Sequence, residues 1–233
     1  MESTVTTATA KGPRPYQEDR FVALTREERS LLAVLDGHGG AGVAEYCARY
    51  LNTILPETVH DIQDIVHMLA METDSYEDGS TLSLVSVTPK AAIVAVLGDS
   101  PVVVVDCEGR IHIGPEHNVR TNLVERAAAV ARGGYYSNGY ICVDDDGLQM
   151  SRALGDAALR YILSREPAID TIANPRWVLV ASDGVVDPSH ADANALDELI
   201  TFIDSDTDAA GVIEWAKKRG LQDNATAVLW RLA

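Results

Sequence analysis

The stretch "SLLAVLDGHGG", residues 30–40, decides the fold of this chain. Five apolar residues, 31–35, run directly into an aspartate and then into Gly-His-Gly-Gly. An apolar run of this length that ends at glycines predicts a buried strand. A carboxylate at the last step of such a strand is costly unless its charge is compensated. Asp36 therefore indicates a site where a positive group meets the end of a buried strand.

The composition excludes several classes of protein. The chain has 233 residues, of which 46% are hydrophobic, and this is enough apolar material for a core. Its formal net charge of −16 argues against nucleic acid or an anionic membrane as the main partner. No apolar stretch reaches the length of a membrane span. A solvated acidic surface accounts for most of the 35 carboxylates, but several of them could converge on a divalent cation.

The cysteines and the N-terminal segment indicate the cellular compartment. Cys47, Cys107 and Cys142 lie far apart and form no CxxC pair or Cys/His cluster with zinc spacing. We therefore predict reduced, buried cysteines in a reducing compartment. Residues 1–12 lack the basic and apolar regions of a secretory signal. These patterns predict a soluble, cytoplasmic monomer with neither a nucleic-acid nor a membrane partner.

Strand patterns occur in hairpin pairs, with helical patterns in separate blocks between them. This order is typical of an antiparallel α+β domain. Ten strand patterns exceed one small open sheet, so we predict two packed antiparallel β-sheets, a β-sandwich flanked by α-helices on both sides, as a single domain over 1–233. The strand patterns are 3–10, 20–25, 31–35, 81–87, 91–97, 102–106, 110–114, 139–143, 176–182 and 225–232, and the helical patterns are about 41–54, 57–71, 119–132, 192–203 and 207–219.

Aspartates recur at the ends of these strands. In an antiparallel hairpin, the residue before the first strand and the residue after the second lie at the same sheet edge. Asp19 and Asp36 have this relation. Asp78 and Asp99 flank the next hairpin, and Asp183 and Asp223 flank the last two strands in the same way. Any one of these aspartates could be an ordinary turn residue, and for Asp99 in "GDSP" the turn is preferred. The six carboxylates so placed are Asp19, Asp36, Asp78, Asp99, Asp183 and Asp223.

Clustered carboxylates predict bound metal. They cannot all remain ionised in one place without cations. Oxygen ligands suit Mg²⁺ or Mn²⁺. Two such ions, about 3.5–4 Å apart, can clamp a phosphoryl group and activate a water molecule. Asp36 is best placed to bridge them, so we predict a binuclear Mn²⁺ or Mg²⁺ site that compensates its charge.

Six short motifs follow one another along the chain: "RPYQEDR" (14–20), "LDGHGG" (35–40), "GST" (79–81) with "LGDS" (97–100), "LQMSRALGD" (148–156), "ASDGVVD" (181–187) and "QDNATAVL" (222–229). In this order they resemble the motifs of the metal-dependent protein serine/threonine phosphatases of the protein phosphatase 2C type. Each motif alone is short, but six in the same order are a specific signal that covers nearly the whole chain. The resemblance implies a β-sandwich between helix pairs with two Mn²⁺ or Mg²⁺ ions at one edge.

The resemblance also implies roles for single residues. Arg14 would bind the substrate phosphate through its planar guanidinium. His38 would be the general acid that protonates the leaving serine or threonine oxygen. The metal residues that it implies are Asp36 as the bridge, the Gly37 carbonyl, Asp183 and Asp223 as ligands, Glu18 and Asp19 holding coordinated waters, and Asp187 for a third ion, if one binds.

Two departures from the family pattern leave details open. The family often has arginine after Gly-Asp-Ser, where this chain has Pro101. The other aspartate of a third ion is expected two or three residues before Gly-Ser-Thr, where Glu77 and Tyr76 stand, and Asp78 lies one residue closer. Arg14 could instead be a surface charge.

The leading hypothesis is Mn²⁺- or Mg²⁺-dependent hydrolysis of phosphoserine and phosphothreonine in proteins, by metal-activated water, as part of signalling. One alternative is a pseudophosphatase, a binding module with the same fold. Another is a metal-dependent phosphatase that acts on a small phosphoester. The sequence does not separate these substrates because the chemistry is shared.

Overall fold

The computed structural model describes residues 3–187, 189 and 192–232, so both ends of the predicted domain, 1–2 and 233, lie outside the described residues. Two short 3₁₀ turns, Ala157–Leu159 and Asp183–Val185, accompany the helices. The helices of this part are α1 (Gly42–Leu51), α2 (Val59–Thr73), α3 (Leu123–Ala131), α4 (Ala195–Phe202) and α5 (Ala209–Lys218). The strands are β1 (Ser3–Ala10), β2 (Arg20–Arg26), β3 (Arg29–Leu35), β4 (Gly37–His38), β5 (Gly79–Ser80), β6 (Leu82–Val87), β7 (Ala91–Leu97), β8 (Val102–Asp106), β9 (Ile111–Ile113), β10 (Tyr135–Ser137), β11 (Tyr140–Val143), β12 (Asp146–Leu148), β13 (Leu154–Gly155), β14 (Ala168–Ala173), β15 (Pro175–Ala181) and β16 (Ala225–Leu232).

Two five-stranded antiparallel sheets form the centre of the molecule. One has the order β1-β16-β15-β8-β9 and the other β14-β7-β6-β3-β2. Apolar side chains of both sheets meet in one core cluster between them. The helices α1 and α2 cover the outer face of the second sheet, and α4 and α5 cover that of the first. The predicted α+β sandwich with helices on both sides is confirmed.

The opening stretch is apolar throughout because β3 is covered on both faces. Successive side chains of a strand point to opposite faces of the sheet. Leu31 and Leu35 pack toward α1 and α2, whereas Leu32 and Val34 pack into the core between the sheets. Each of these four side chains is fully buried. A strand buried on both faces reads as a continuous apolar run rather than as an alternating one.

Side-chain caps set the start of several helices. The pattern over 119–132 begins as a helix only at Leu123, because the Asn122 side chain accepts hydrogen bonds from the backbone of Val124 and Glu125. Asp208 caps α5 in the same way through the backbone N–H of Gly211 (2.8 Å). Such caps satisfy backbone donors that the first turn leaves unpaired.

Some features differ from the sequence expectation. Strand β14, an edge strand next to β7, was not predicted, because "AIDTIA" has no clean alternation of apolar and polar residues. Of the cysteines expected to be buried, Cys47 is buried, Cys142 is half-buried and Cys107 is exposed. Within the described residues, no helix combines the length and apolar content that crossing a bilayer requires.

Candidate active site

Strand register brings the predicted carboxylates to one edge of the sandwich. Arg20 pairs with Leu35, so Asp19 and Asp36 face each other just beyond β2 and β3. Ala181 pairs with Ala227 in the other sheet, which sends the segments after β15 and before β16 to the same edge. A cleft of about 510 Å³ opens there. Seven of the nine predicted site residues line it: Arg14, Glu18, Asp36, Gly37, His38, Asp183 and Asp223.

Asp36 lies where negative charge is most crowded. Burial raises the pKa of its carboxyl well above the usual value, and the charges of Asp183, Asp19 and Asp99 raise it further. A side-chain hydrogen bond with Asp183 acts in the same direction. Its backbone N–H donates to Thr81 Oγ1 (3.1 Å), which fixes the end of β3. A cation in the cleft would relieve this repulsion.

Asp19 lies beneath the cleft rather than in its lining. Its Oδ2 accepts hydrogen bonds from Ser182 Oγ (2.9 Å) and Thr226 Oγ1 (2.8 Å), which anchor it between the sheets. Burial raises its pKa to about 6 despite these two bonds, and the charge of Asp223 adds to the rise. Its Oδ1 is buried and has no hydrogen-bond partner among the described residues. A buried carboxylate oxygen without a hydrogen-bond partner, such as Asp19 Oδ1, can accept a hydrogen bond from a water molecule or contact a cation.

The donor set of this cleft fits Mg²⁺ or Mn²⁺. It consists of oxygen atoms, the ligands that hard divalent cations prefer, and its negative charges crowd one another. Among the described residues, no three Asp, Glu, His or Cys side chains already form a closed metal site. The fit therefore rests on the shared cleft, the crowded charge and the orphaned oxygen of Asp19.

Saturating Mn²⁺ is expected to raise the melting temperature of the protein. An ion that binds only the folded state at about 100 times its dissociation constant adds about 2.7 kcal/mol, or about 5–10 °C for a chain of this size. Differential scanning fluorimetry with and without Mn²⁺ measures the shift. The shift should shrink in Asp36→Asn and persist in Asp170→Asn, an exposed carboxylate on β14. An unchanged melting temperature in the parent would contradict a metal site in this cleft.

Gly37 and Asn224 hold together the segments that carry Glu18 and Asp223. A Cβ on Gly37 would lie 2.6 Å from the Glu18 carbonyl oxygen, so no larger residue fits there without a backbone shift. The Glu18 backbone N–H donates to Asn224 Oδ1 (2.7 Å). Asn224 Nδ2 also donates to the carbonyl oxygens of Lys11 and Tyr16. The segment around Glu18 is thereby fixed to the turn that carries Asp223.

Arg14 reaches into the cleft from its rim. Its side chain is half-exposed, and Nη2 lies 2.5 Å from Asp223 Oδ2. The guanidinium is thus close to one predicted metal ligand and open to the cleft on its exposed side. A planar fork in this position can bind an anionic oxygen.

His38 faces the cleft from β4 and is held by a residue that the sequence did not single out. Its Nε2 lies 2.9 Å from both carboxylate oxygens of Asp156. Asp156 closes the motif "LQMSRALGD", but nothing in its spacing reveals a contact with a residue 118 positions away. Its backbone has φ 53°, a left-handed conformation that no sequence pattern indicates here.

Asp187, Asp99 and Asp78 differ in part from expectation. Asp187 lines a neighbouring pocket of about 360 Å³ together with Asp99, which also lines the main cleft. A turn role alone does not account for Asp99, because it is 6% exposed, accepts from Asn118 Nδ2 (2.9 Å) and raises the pKa of Asp36. Asp78 instead accepts from the backbone N–H of Val43 (3.1 Å) at the start of α1.

A second arginine in the cleft was not predicted either. Arg120 lines the cleft, with its guanidinium 5.9 Å from the ring centre of Tyr140 on β11. Its Nη1 donates to the carbonyl oxygen of Ser189 (2.7 Å). Arg120 thus links Tyr140 of the β10–β11 hairpin to Ser189.

Comparison with known proteins gives consistent matches. The family model of protein phosphatase 2C matches residues 14–225. Protein phosphatase 1L from Bos taurus is 29% identical over an alignment of 257 positions, gaps included, which covers 94% of this chain and 69% of that protein. The structure of serine-threonine phosphatase 2C from Toxoplasma gondii has a TM-score of 0.70 at 18% identity, over 98% and 94% of the two chains. The catalytic domain of serine threonine protein phosphatase PstP, solved in complex with two manganese ions, has a TM-score of 0.65 at 20% identity, over 98% and 97%.

Proposed function

The chain belongs to the protein phosphatase 2C family, and on that premise we propose that it hydrolyses phosphoserine and phosphothreonine in proteins with the help of Mn²⁺ or Mg²⁺. The observation that carries this proposal is the convergence of Asp36, Asp183 and Asp223 on one open cleft that also holds Arg14 and His38. Loss of those aspartates would have favoured a pseudophosphatase that only binds, and all three are present.

The metal role follows from the oxygen-rich floor of the cleft. Two divalent ions, when bound, would activate a water molecule and neutralise charge on the phosphoryl group. Asp36 would lie between them, with the Gly37 carbonyl, Asp183 and Asp223 as further ligands. Glu18 and Asp19 would hold coordinated waters, and the buried position of Asp19 behind the cleft supports this role. Asp187, together with Asp99, would serve a third ion, if one binds.

Arg14 and His38 would act on the two ends of the scissile bond. The Arg14 guanidinium would bind and orient the nonbridging phosphate oxygens. The His38 imidazolium would give a proton to the serine or threonine oxygen, which is a poor leaving group as the bare alkoxide.

The decisive assay is release of phosphate from a phosphothreonine peptide, with and without Mn²⁺, compared with release from small phosphate esters. We expect metal-dependent release with a higher kcat/KM for the peptide, and loss of release in Asp36→Asn. No release at saturating metal would favour the binding module. A higher kcat/KM for small esters would identify a small phosphoester as the substrate.

Arg14→Ala is expected to raise KM for the phosphopeptide about tenfold with a smaller change in kcat. A charge-assisted hydrogen bond contributes about 1.5–3 kcal/mol, and binding that is equal in the ground and transition states appears in KM. Steady-state kinetics on Arg14→Ala and Arg14→Lys measure the effect. Because Arg14 also contacts Asp223, calorimetric titration with Mn²⁺ is the control. An unchanged kcat/KM would identify Arg14 as a surface charge.

A further inference from the structure

Arg120 brings a second guanidinium into the cleft, and the proposed function leaves it without a role. On the basis of that proposed function, we propose that Arg120 selects phosphoprotein substrates by binding a second anionic group, a carboxylate or another phosphate, within a few residues of the phosphorylated serine or threonine. Of the described residues that line the cleft, Arg14 and Arg120 are the two with a permanent positive charge. Since Arg14 is assigned to the scissile phosphate, Arg120 is left for a different anion.

The Arg120 guanidinium has N–H groups that are not used within the protein. A guanidinium carries five N–H donors in a planar fork. Among the described residues, Arg120 makes one hydrogen bond, from Nη1 to the carbonyl oxygen of Ser189 (2.7 Å), and it forms no ion pair. Arg14, by contrast, already faces a carboxylate, with Nη2 2.5 Å from Asp223 Oδ2. Arg120 can therefore donate charge-assisted hydrogen bonds to an incoming carboxylate or phosphate.

A tight turn makes the room in which Arg120 lies. Strands β10 and β11 are joined by Asn138 and Gly139 alone, and both residues have positive φ, 50° and 95°. Such a pair is typical of a type I′ hairpin turn, which favours Asn-Gly. A Cβ on Gly139 would lie 2.3 Å from Arg120 Nε and 3.0 Å from Nη2. The glycine that the turn requires therefore also lets the guanidinium lie against the hairpin.

Tyr140 and Gln149 restrict the Arg120 side chain further. The guanidinium lies 5.9 Å from the ring centre of Tyr140, within the range of a cation–π contact. Gln149 Nε2 donates to the Tyr140 hydroxyl (3.2 Å), and both side chains line the cleft. A side chain that is already held in place loses less conformational entropy when a ligand binds. Arg120 is thus preorganised for an anion in the cleft.

The charge of the rest of the protein makes the effect of Arg120 on selectivity large. The chain has a formal net charge of −16, and a surface of one sign repels a peptide of the same sign. Without Arg120, an acidic residue beside the phosphorylated position should weaken binding. With Arg120, the same residue should strengthen it. Arg120 therefore determines the sign of the preference. The carboxylates that line the cleft are Glu18, Asp36, Asp99, Asp183 and Asp223.

The size of the cleft limits how far the second anion can lie from the first. A cleft of about 510 Å³ holds only a short stretch of peptide. Successive residues of an extended peptide are about 3.3 Å apart, so an anion within three residues of phosphothreonine lies within about 10 Å of it. The test therefore covers three positions on each side of the phosphothreonine.

The first test measures kcat/KM for phosphothreonine peptides that differ at one position, which carries glutamate, a nonhydrolysable phosphonate analogue of phosphoserine, or glutamine. At the position that Arg120 contacts, we expect an anionic peptide to exceed the glutamine peptide about fivefold or more, and less so as salt rises from about 50 to about 500 mM. A larger ratio for the phosphonate would identify a second phosphate, and an equal or larger ratio for glutamate a carboxylate. No preference at any position would overturn the inference.

Variants of Arg120 assign the preference to its charge. Arg120→Ala should bring the ratio to about one or below, and a general loss of activity cancels in this ratio because all peptides share the phosphothreonine. Arg120→Lys, which keeps the charge without the planar fork, should keep part of the preference. Arg120→Glu should reverse it, so that a lysine peptide exceeds the glutamate peptide. The matched control is Arg160→Ala, because Arg160 also lies over a tyrosine ring (5.0 Å) but is exposed and outside the lining of the cleft.

Two results with these variants would contradict the inference. A parent-like preference in Arg120→Ala would show that another group binds the second anion. Equal losses on all peptides would show that Arg120 binds the scissile phosphate or only supports the hairpin.

Binding measurements separate this inference from the proposed function. Fluorescence anisotropy measures the Kd of labelled peptides in which a nonhydrolysable phosphonate also replaces the phosphothreonine phosphate. Tighter binding of the glutamate peptide by the parent, but not by Arg120→Ala, would support the inference even if no substrate is hydrolysed, and the proposed function would then fail alone. Hydrolysis of all peptides with equal kcat/KM, together with equal Kd values, would keep the phosphatase and overturn the role of Arg120.

Discussion

Asp183→Asn is expected to weaken Mn²⁺ binding at least about tenfold and to reduce phosphate release to a few per cent of the parent. Asp183 lines the cleft, and its charge and hydrogen bond both act on Asp36. Asparagine keeps the shape but removes the charge, and a charge-assisted contact is worth about 1.5–3 kcal/mol, where each 1.4 kcal/mol is a factor of ten. Calorimetric titration with Mn²⁺ and steady-state phosphate release measure the two losses.

The metal-free form of the same variant should respond in the opposite direction. Without ions, the charge of Asp183 raises the pKa of the buried Asp36 carboxyl, so keeping both groups ionised costs free energy. Removing one of the two charges should therefore leave the melting temperature of the apo protein unchanged or raise it. Asp170→Asn is the matched control, since it removes an exposed carboxylate on β14. Parent-like Mn²⁺ affinity in Asp183→Asn, or a misfolded apo protein, would contradict the assignment.

The sandwich and the carboxylate edge could be predicted because both follow from local periodicity. Apolar runs of strand length and antiparallel hairpins place the residues that flank them without further information. The pairing of Arg20 with Leu35 is the only structural fact needed to bring Asp19 opposite Asp36, and the hairpin pattern implies it. The segment over 119–132 was harder, because capping by Asn122 rather than periodicity decides where α3 begins.

The contacts around His38 could not be predicted, because they depend on elements too short to have a period. The strands β4, β5 and β13 have two residues each, and no alternation can reveal a strand of that length. The sequence also could not show which of Asp78 and Asp99 faces the cleft. Both stand next to a glycine in sequence, but one accepts from the start of α1 and the other faces the cleft. Only the packing of α1 against this edge separates them.

His38→Ala is expected to lower kcat on a phosphothreonine peptide by a factor of about 10²–10⁴, the usual contribution of a general acid. The loss on p-nitrophenyl phosphate should be clearly smaller, because p-nitrophenolate leaves without help from a proton. The affinity for Mn²⁺ should remain near that of the parent, because the imidazole faces Asp156 and is not a proposed ligand. Measuring kcat for both substrates at saturating Mn²⁺, with a calorimetric titration, tests all three expectations.

The ratio of the two losses distinguishes proton donation from other roles of His38. A general acid matters in proportion to how basic the leaving oxygen is, so the loss should grow along a series of esters with increasing leaving-group pKa. His60→Ala is the matched control, since this imidazole is exposed on α2 and pairs only loosely with Asp64 (3.6 Å). Equal losses on both substrates, together with weaker Mn²⁺ binding, would mean that His38 supports the metal ligands. Full activity on both substrates would mean that His38 is only a polar residue in a glycine-rich turn.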